Sequence, residues 1–539
     1  MQRPALEDPE QHFTTRTWVR AQRYLADGQI TAAKAALEAL LLREPTRFAA
    51  RMLLASVYLK ERQVKEAAEQ AKLASQSLPD DADAVAAASQ CLVRAGEFAT
   101  ARENLMRYDA FSRDLDGPHL RLMARTYQKL GDNTSALKML DQACLADPGN
   151  ADVRYFHGLQ LQFHGQMDAA KQEMEECLRI IPTYGRAALT LARLSKGNPD
   201  PARLAFIRGH LADVPRQTEE HAAFEFAQFE ELENLRDFDG AFAALERGNA
   251  IMHKRLAADE GLGADVFNGV TRIATPTFVS GPGLRLATGP VPIFIVGLPR
   301  SGTTLLDRML GNHPDVKSAG ELTDFPLQLR WCANLHGNQT IDAELLERIP
   351  DLDFAQLGRR YLEQTQWRAG GSAFYVDKLP PNHLLTGFIR RALPFAPILH
   401  MAREPMGVCF SNYKALFGNS YAYSYQLQEL SDYYARYGQL MDHWRSVIPD
   451  GLMDVDYRAL VTDTDATLAK VFAHCRLRHA DGCGNVTENA SPVATLSCAE
   501  VREPVHTRGL GDWMRYQAHL EPLRLSLTRA GVHLGGSPD

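Results

Sequence analysis

The chain has 539 residues, too many for one hydrophobic core, and 45% hydrophobic with 23% charged residues excludes a wholly disordered polymer. A formal charge of −7, from 59 basic and 66 acidic residues, excludes a broadly basic nucleic-acid binder and leaves room for a local basic pocket. No apolar run reaches the roughly 18 residues that span a bilayer, the N-terminus lacks the apolar core of a signal peptide, and the eight cysteines form no C-x-x-C pair. The expectation is a cytoplasmic protein with reduced thiols, no membrane span and no zinc site.

The first predicted elements are helical pairs. Turn positions recur at Gly28, Arg62, Gly96, Gly131 and Gly165, spaced 34, 34, 35 and 34 residues apart. An alanine follows each by five residues (Ala33, Ala67, Ala101, Ala136, Ala170), and a small residue precedes each by seven (Ala21, Ala55, Ser89, Ala124, Gly158). Pro45, Pro79, Pro148 and Pro182 fall seventeen residues after the turn, with Arg113 as the exception. Small residues let antiparallel helices approach, glycine permits positive φ, and proline stops the second helix. This register resembles the tetratricopeptide repeat, which implies an α-solenoid with a binding surface. A degenerate sixth unit is expected near Arg236 with Ala241, after a break around Pro199 to Pro215. His157 and His164, seven apart, are read as packing residues.

Residues 257–291 turn rich in glycine and proline, including Gly261, Gly263, Gly269, Pro276, Gly281, Pro282, Gly283, Gly289 and Pro290, and are read as a linker. An apolar run, Ile293 to Val296, follows and reads as a buried strand. Gly297 and Gly302 then take the glycine positions of a nucleotide phosphate loop and Thr304 its hydroxyl position, with leucines at helical spacing beyond. Thr303 stands where such loops carry lysine, which argues against ATP hydrolysis. Arg300 supplies a different cation.

Pro299-Arg-Ser-Gly-Thr-Thr304 after an apolar strand resembles the 5′-phosphosulfate loop of sulfotransferases. Gly311-Asn-His-Pro-Asp-Val316 and Ala319-Gly-Glu-Leu322 resemble the branch with protein-tyrosine sulfotransferases and tetratricopeptide-repeat sulfotransferases. The resemblance implies 3′-phosphoadenosine 5′-phosphosulfate as co-substrate, no metal, and Glu321 as the base that takes the acceptor proton. His313 is the rival base. Lys378, in Phe374-Tyr-Val-Asp-Lys378, matches the lysine facing the leaving group, and Arg300 shares that work. Arg300, Ser301, Gly302, Thr303 and Thr304 hold the 5′ end. Arg403 and Ser411 match the 3′-phosphate pair. Tyr457 matches a nucleotide contact, and Ser497 and Arg502 lie in the segment that closes over the 3′-phosphate. Glu404 replaces the usual aspartate after Arg403, Ala415 replaces an arginine of some relatives with Lys414 beside it, and Asp512 stands before Trp513 where a basic residue is usual.

Tyr421, Tyr423, Tyr425, Tyr433, Tyr434 and Tyr437 form an aromatic run of mixed spacing, read as packing with some members lining an acceptor cleft. Asp307 and Asp315 lack metal-ligand spacing. The expected fold is an N-terminal tetratricopeptide-type α-solenoid over residues 12–256, a linker over 257–291, and an α/β sulfotransferase domain of phosphate-loop type over 292–535, with a mostly parallel central sheet. The expected reaction is sulfuryl transfer to a hydroxyl of a protein tyrosine, a glycan, a lipid or a small metabolite, with a protein or peptide acceptor held by the repeats and no nucleic-acid partner. A phosphotransferase and a repeat scaffold with an inactive nucleotide domain are the competing readings.

Overall fold

The computed structural model describes residues 9–256, 263–285 and 289–534; residues 257–262, with Gly261, and 286–288 of the linker lie outside the described residues. The repeat register is written in the backbone. Gly28, Gly96, Gly131 and Gly165 have φ of +73°, +79°, +83° and +82°. The two turn positions without glycine, Arg62 and Arg236, adopt the same left-handed region at +62° and +63°. Each turn joins a helical pair: Pro9–Ala26 to Ile30–Arg43, Phe48–Lys60 to Val64–Gln76, Ala82–Arg94 to Phe98–Tyr108, Gly117–Leu130 to Asn133–Ala146, Ala151–Phe163 to Met167–Ile180, and Glu219–Asn234 to Phe238–Leu256.

The pairs close on small residues. Ala33, Ala67, Ala101, Ala136, Ala170 and Ala241 are fully buried. A Cβ at Gly158 would stand 2.4 Å from Met174 Cε and 3.1 Å from Glu173 Cβ, so a larger residue there would have to displace the Met174 side chain. Where proline is missing, the helix ends at Tyr108 with Asp109 at φ +46°, and Arg113 bonds both oxygens of Asp80 (3.0 and 2.7 Å) and donates Nε to the Tyr108 carbonyl (2.9 Å). The period breaks where short helices, Gly185–Leu194 and Pro201–His210, and a 3₁₀ turn at Leu211–Asp213 replace a regular pair. His157 is buried and donates Nε2 to Asp141 (2.9 Å), while His164 donates Nδ1 to the Gln160 carbonyl (2.7 Å).

The described chain forms two compact units. One comprises the residues up to Met139 together with Asp324–Gln339 and Asp351–Trp367. Within it, Arg360 joins Glu97 (2.8 Å) and Gln328 (2.9 Å), and lies 3.5 Å over the Trp331 ring. Gln328 Nε2 donates to the Gly96 carbonyl at a repeat turn (2.6 Å).

The second unit comprises Leu140–Thr323, Thr340–Pro350 and the residues from Arg368 on. Its centre is a five-stranded parallel sheet: β1 (Val291–Gly297), β2 (Val316–Ser318), β3 (Phe374–Lys378), β4 (Ile398–Ala402) and β5 (Leu452–Asp456), in the order β2-β3-β1-β4-β5. Helices cover such a sheet on both faces, so its central strands read as unbroken apolar runs. Ile293, Phe294, Ile295, Val296, Val376, Ile398 and Leu399 are fully buried. The chain moves from β1 outward to β2 and β3 on one side and to β4 and β5 on the other. In open α/β sheets such a reversal leaves a crevice at the carboxyl ends of the strands.

Candidate active site

Five strand ends deliver the candidate residues. β1 runs into the loop 298–302. Glu321 follows β2, Lys378 is the last residue of β3, Arg403 directly follows β4, and Tyr457 directly follows β5.

The loop is held from several sides. Arg300 has φ +63°, Gly297 +150° and Gly302 +106°. A Cβ at Gly302 would lie 2.6 Å from the Tyr457 ring, and one at Gly297 2.9 Å from the Met401 carbonyl, so both positions require glycine for space as well as for φ. Ser301 Oγ donates to the Leu298 carbonyl (2.8 Å) and Asn412 Nδ2 to the Pro299 carbonyl (2.8 Å). His383, which the sequence reading did not single out, donates Nδ1 to the Gly297 carbonyl (3.1 Å). Burial holds its imidazole down at about 4 against its carbonyl bonds, with His400 adding to the depression. The Thr303–Leu310 helix begins at Gly302, leaving the opening N–H groups of Thr303 and Thr304 outside its own ladder.

Lys378 and Glu321 meet: the buried ammonium bonds Glu321 Oε1, whose side chain is about 40% exposed. Behind them sits Asp307, buried, with Oδ2 accepting from Ser318 Oγ (3.0 Å). Burial raises the Asp307 carboxyl to about 6; Lys378 and the Ser318 bond oppose the rise and Glu321 adds to it. Asp315 instead pairs with Arg478 (2.7 Å). His313 has both ring nitrogens engaged: Nδ1 accepts from the Asp315 N–H (3.1 Å) and Nε2 donates to the Arg478 carbonyl (3.0 Å).

Arg403 donates to the Arg300 carbonyl (2.9 Å) and the Gly509 carbonyl (2.6 Å), and its guanidinium lies 4.6 Å over the Tyr457 ring. Burial raises the Tyr457 phenol, and the Arg403 charge works against that rise. Ser411 is buried on the Pro405–Tyr413 helix, which Glu404 caps by accepting from the Gly407 N–H (2.7 Å). The change from aspartate to glutamate at 404 therefore keeps the cap.

The segment from Asn489 to Tyr516 reaches the loop. Ser497 Oγ accepts from Arg300 Nη1, and Glu500 takes Nη2 at 3.1 and 3.0 Å. Burial would raise Glu500, but the charges of Arg300, Lys196 and Lys414 outweigh it and hold the carboxylate at about 2. Arg502 turns to the repeat region, donating to the carbonyls of Phe163 (2.6 Å) and Ser491 (3.3 Å) beside Gly165. Lys414 pairs with Asp512 (2.8 Å). Sequence pattern gave no sign of Glu500 in this site, because its partner Arg300 lies 200 residues away along the chain.

Of the tyrosines, Tyr425 is structural, accepting from the Phe417 N–H (2.9 Å) and donating to the Gly418 carbonyl (2.8 Å). Tyr437 bonds His400. Tyr423 and Tyr433 stack at 3.6 Å, and Tyr421 packs edge-on to Phe417 at 4.8 Å. Burial raises the Tyr421 phenol and the charge of Glu321 raises it further. Among the described residues, one trio of metal-type ligands, Cys144, His157 and Glu173, comes within 4.8 Å, in the repeat region. There Arg154 bonds both Glu173 oxygens (3.1 Å each).

Residues 292–481 match the model of the Sulfotransferase family, and residues 24–91 and 122–150 match tetratricopeptide repeat models. The chain carries tetratricopeptide repeats in its N-terminal half and a sulfotransferase-family domain in its C-terminal half. An uncharacterized protein of Aquifex aeolicus is 27% identical over 368 residues, 67% of this chain and 48% of that one. Nodulation protein NoeE of Sinorhizobium fredii is 28% identical over 131 residues, 23% of this chain and 31% of that one. The chain thus spans about half or less of the length of these curated relatives. The sulfotransferase domain from the Synechococcus PCC 7002 olefin synthase is 18% identical, with 47% of this chain and 97% of that one covered, at a TM-score of 0.33. The strand-end residues above all fall in or beside the sulfotransferase-family segment. Among the described residues no helix is long and apolar enough to cross a membrane.

Proposed function

We propose that this sulfotransferase domain moves the sulfuryl group of 3′-phosphoadenosine 5′-phosphosulfate to an acceptor hydroxyl, with Glu321 as base. The acceptor oxygen forms a bond to sulfur as the bond from sulfur to the bridging phosphate oxygen breaks. The proton goes to Glu321 and 3′,5′-bisphosphoadenosine leaves. Lys378 and Arg300 stabilise charge growing on the bridging oxygen. Ser301, Gly302, Thr303 and Thr304 cradle the 5′ end through backbone donors and the helix terminus. Arg403 and Ser411 take the 3′-phosphate, Tyr457 flanks the nucleotide, and Ser497 steadies Arg300. Arg502 contributes by anchoring its segment. No step requires a metal.

The observation that carries this reading is the contact of Lys378 with Glu321 at the ends of β3 and β2, beside the glycine loop that follows β1. A proton acceptor and a leaving-group cation then stand together at the crevice where the sheet order reverses. His313 is the weaker base, since each of its nitrogens already serves a backbone group. The proposed organisation is a repeat array over residues 12–256, a linker over 257–291 and a transfer domain over 292–535. The repeats present a protein or peptide acceptor, and a protein tyrosine heads the candidates because Tyr421, Tyr423 and Tyr433 form a contiguous aromatic wall.

The test is transfer of radiolabelled sulfate from the phosphosulfate nucleotide to a panel of tyrosine peptides, glycans and phenols. Label appearing on an acceptor with wild type and vanishing with Glu321→Gln supports the reading. Label that persists with Glu321→Gln and is lost with His313→Ala transfers the base to His313.

A further inference from the structure

We propose that Glu500 and Asp512 are built-in competitors of the nucleotide's anionic groups: they hold Arg300 and Lys414 and so set how tightly a phosphate binds. The inference rests on the proposed nucleotide reading of this site. Glu500 takes Arg300 with both carboxylate oxygens, and Asp512 takes Lys414 at 2.8 Å. Lys196, exposed in the turn after the Gly185–Leu194 helix, acts on Glu500, Asp512 and Glu233 together. Arg515 also pairs with Asp512 (3.2 Å), while Glu233 accepts from Tyr516 (3.0 Å). Arg300 of the phosphate loop is thus engaged by Glu500, and Asp512 holds both Lys414 and Arg515.

These carboxylates are fixed in place. Two residues past Glu500, Arg502 pins the segment to the carbonyls of Phe163 and Ser491. Arg308 holds the carbonyls of Asn489 and Ser491, and Arg403 holds that of Gly509. Val493 bonds the Phe163 carbonyl (2.9 Å), and Val493, Cys498 and Val501 pack with Phe163 and Leu305. A carboxylate on so anchored a segment cannot drift away when a phosphate approaches Arg300. The incoming anion meets a like charge and a guanidinium already engaged, and both weaken it.

Calorimetric titration of the full chain tests this with two probes, 3′,5′-bisphosphoadenosine and inorganic sulfate. Glu500→Gln keeps shape and removes the charge. It is expected to tighten both probes roughly 1.5- to 5-fold, the range of a partly exposed ion pair. Asp512→Asn moves affinity in the same direction. Glu503→Gln, in the same segment but paired with Arg508, leaves both probes unchanged. Affinity for Glu500→Gln should also fall more steeply with salt, because an uncompensated cation is added. Unchanged or weaker binding of both probes by Glu500→Gln and Asp512→Asn overturns the proposal. If sulfate tightens while no protein binds the bisphosphate, the competition stands and the nucleotide reading fails.

Discussion

The repeat turns and the phosphate loop solve the same backbone problem under different constraints. Both need a residue at positive φ. At Gly28 a Cβ would meet open space, and Arg62 and Arg236 fill equivalent turns, so these turns ask only for a backbone conformation, whereas Gly96 and Gly165 also lie against the ends of the Gln328 and Arg502 side chains. At Gly302 a Cβ would strike the Tyr457 ring at 2.6 Å, so the loop asks for conformation and space together. A periodic array spreads its requirements over many copies and tolerates exceptions. The candidate site instead gathers single residues from five strand ends, with no repeated copy of any of them.

The largest break in that comparison comes from the proposed base. Glu321→Gln is expected to lower turnover about 10²- to 10⁴-fold while bisphosphate affinity holds, measured at saturating nucleotide. His313→Ala is the control, expected to cost stability through the lost backbone bonds.

Next come the glycines. Gly302→Ala should cost about 1–3 kcal/mol and abolish bisphosphate binding, since strain and the Tyr457 clash fall on the loop itself. Gly28→Ala should cost about 1 kcal/mol, leaving nucleotide affinity untouched. Denaturant unfolding and calorimetry of both variants check the contrast. Equal effects on binding would erase the distinction between array and site.

The smallest effect is a pH dependence confined to the repeat region. Burial lowers His157, but Cys144, Glu173 and Asp141 outweigh it and raise the imidazole to about 10. A raised folded-state value makes this contribution full below the ordinary 6.5 and lost as pH climbs through 10. The melting temperature should therefore decline between pH 7 and 10 more steeply in wild type than in His157→Gln. Parallel declines would remove His157 as the cause.

The sequence showed what local pattern can carry. Gly28, Arg62, Gly96, Gly131, Gly165 and Arg236 all fall at positive φ as their spacing implied, and the apolar run at Ile293–Val296 is the central strand. Arg300, Glu321, Lys378, Arg403 and Tyr457 were legible because each sits at a strand end with its own short motif. Contacts between distant stretches left no such trace. Gln328 reaches Gly96, Arg360 reaches Glu97, and Arg502 reaches Phe163, and nothing in the sequence around any of them encodes its partner. Glu500 was invisible for the same reason, although it takes the guanidinium the motif made prominent.

Nucleotide discrimination decides whether a 3′-phosphate sits on Arg403 at the end of β4, as proposed. Melting temperature should be followed with 3′,5′-bisphosphoadenosine, AMP and ATP, in wild type and in Arg403→Ala. The bisphosphate should stabilise wild type far more than AMP or ATP. The arginine variant should lose most of that margin, a charge-assisted contact being worth about 1.5–3 kcal/mol. Equal stabilisation by ATP and the bisphosphate, or a margin that survives in Arg403→Ala, would contradict that placement.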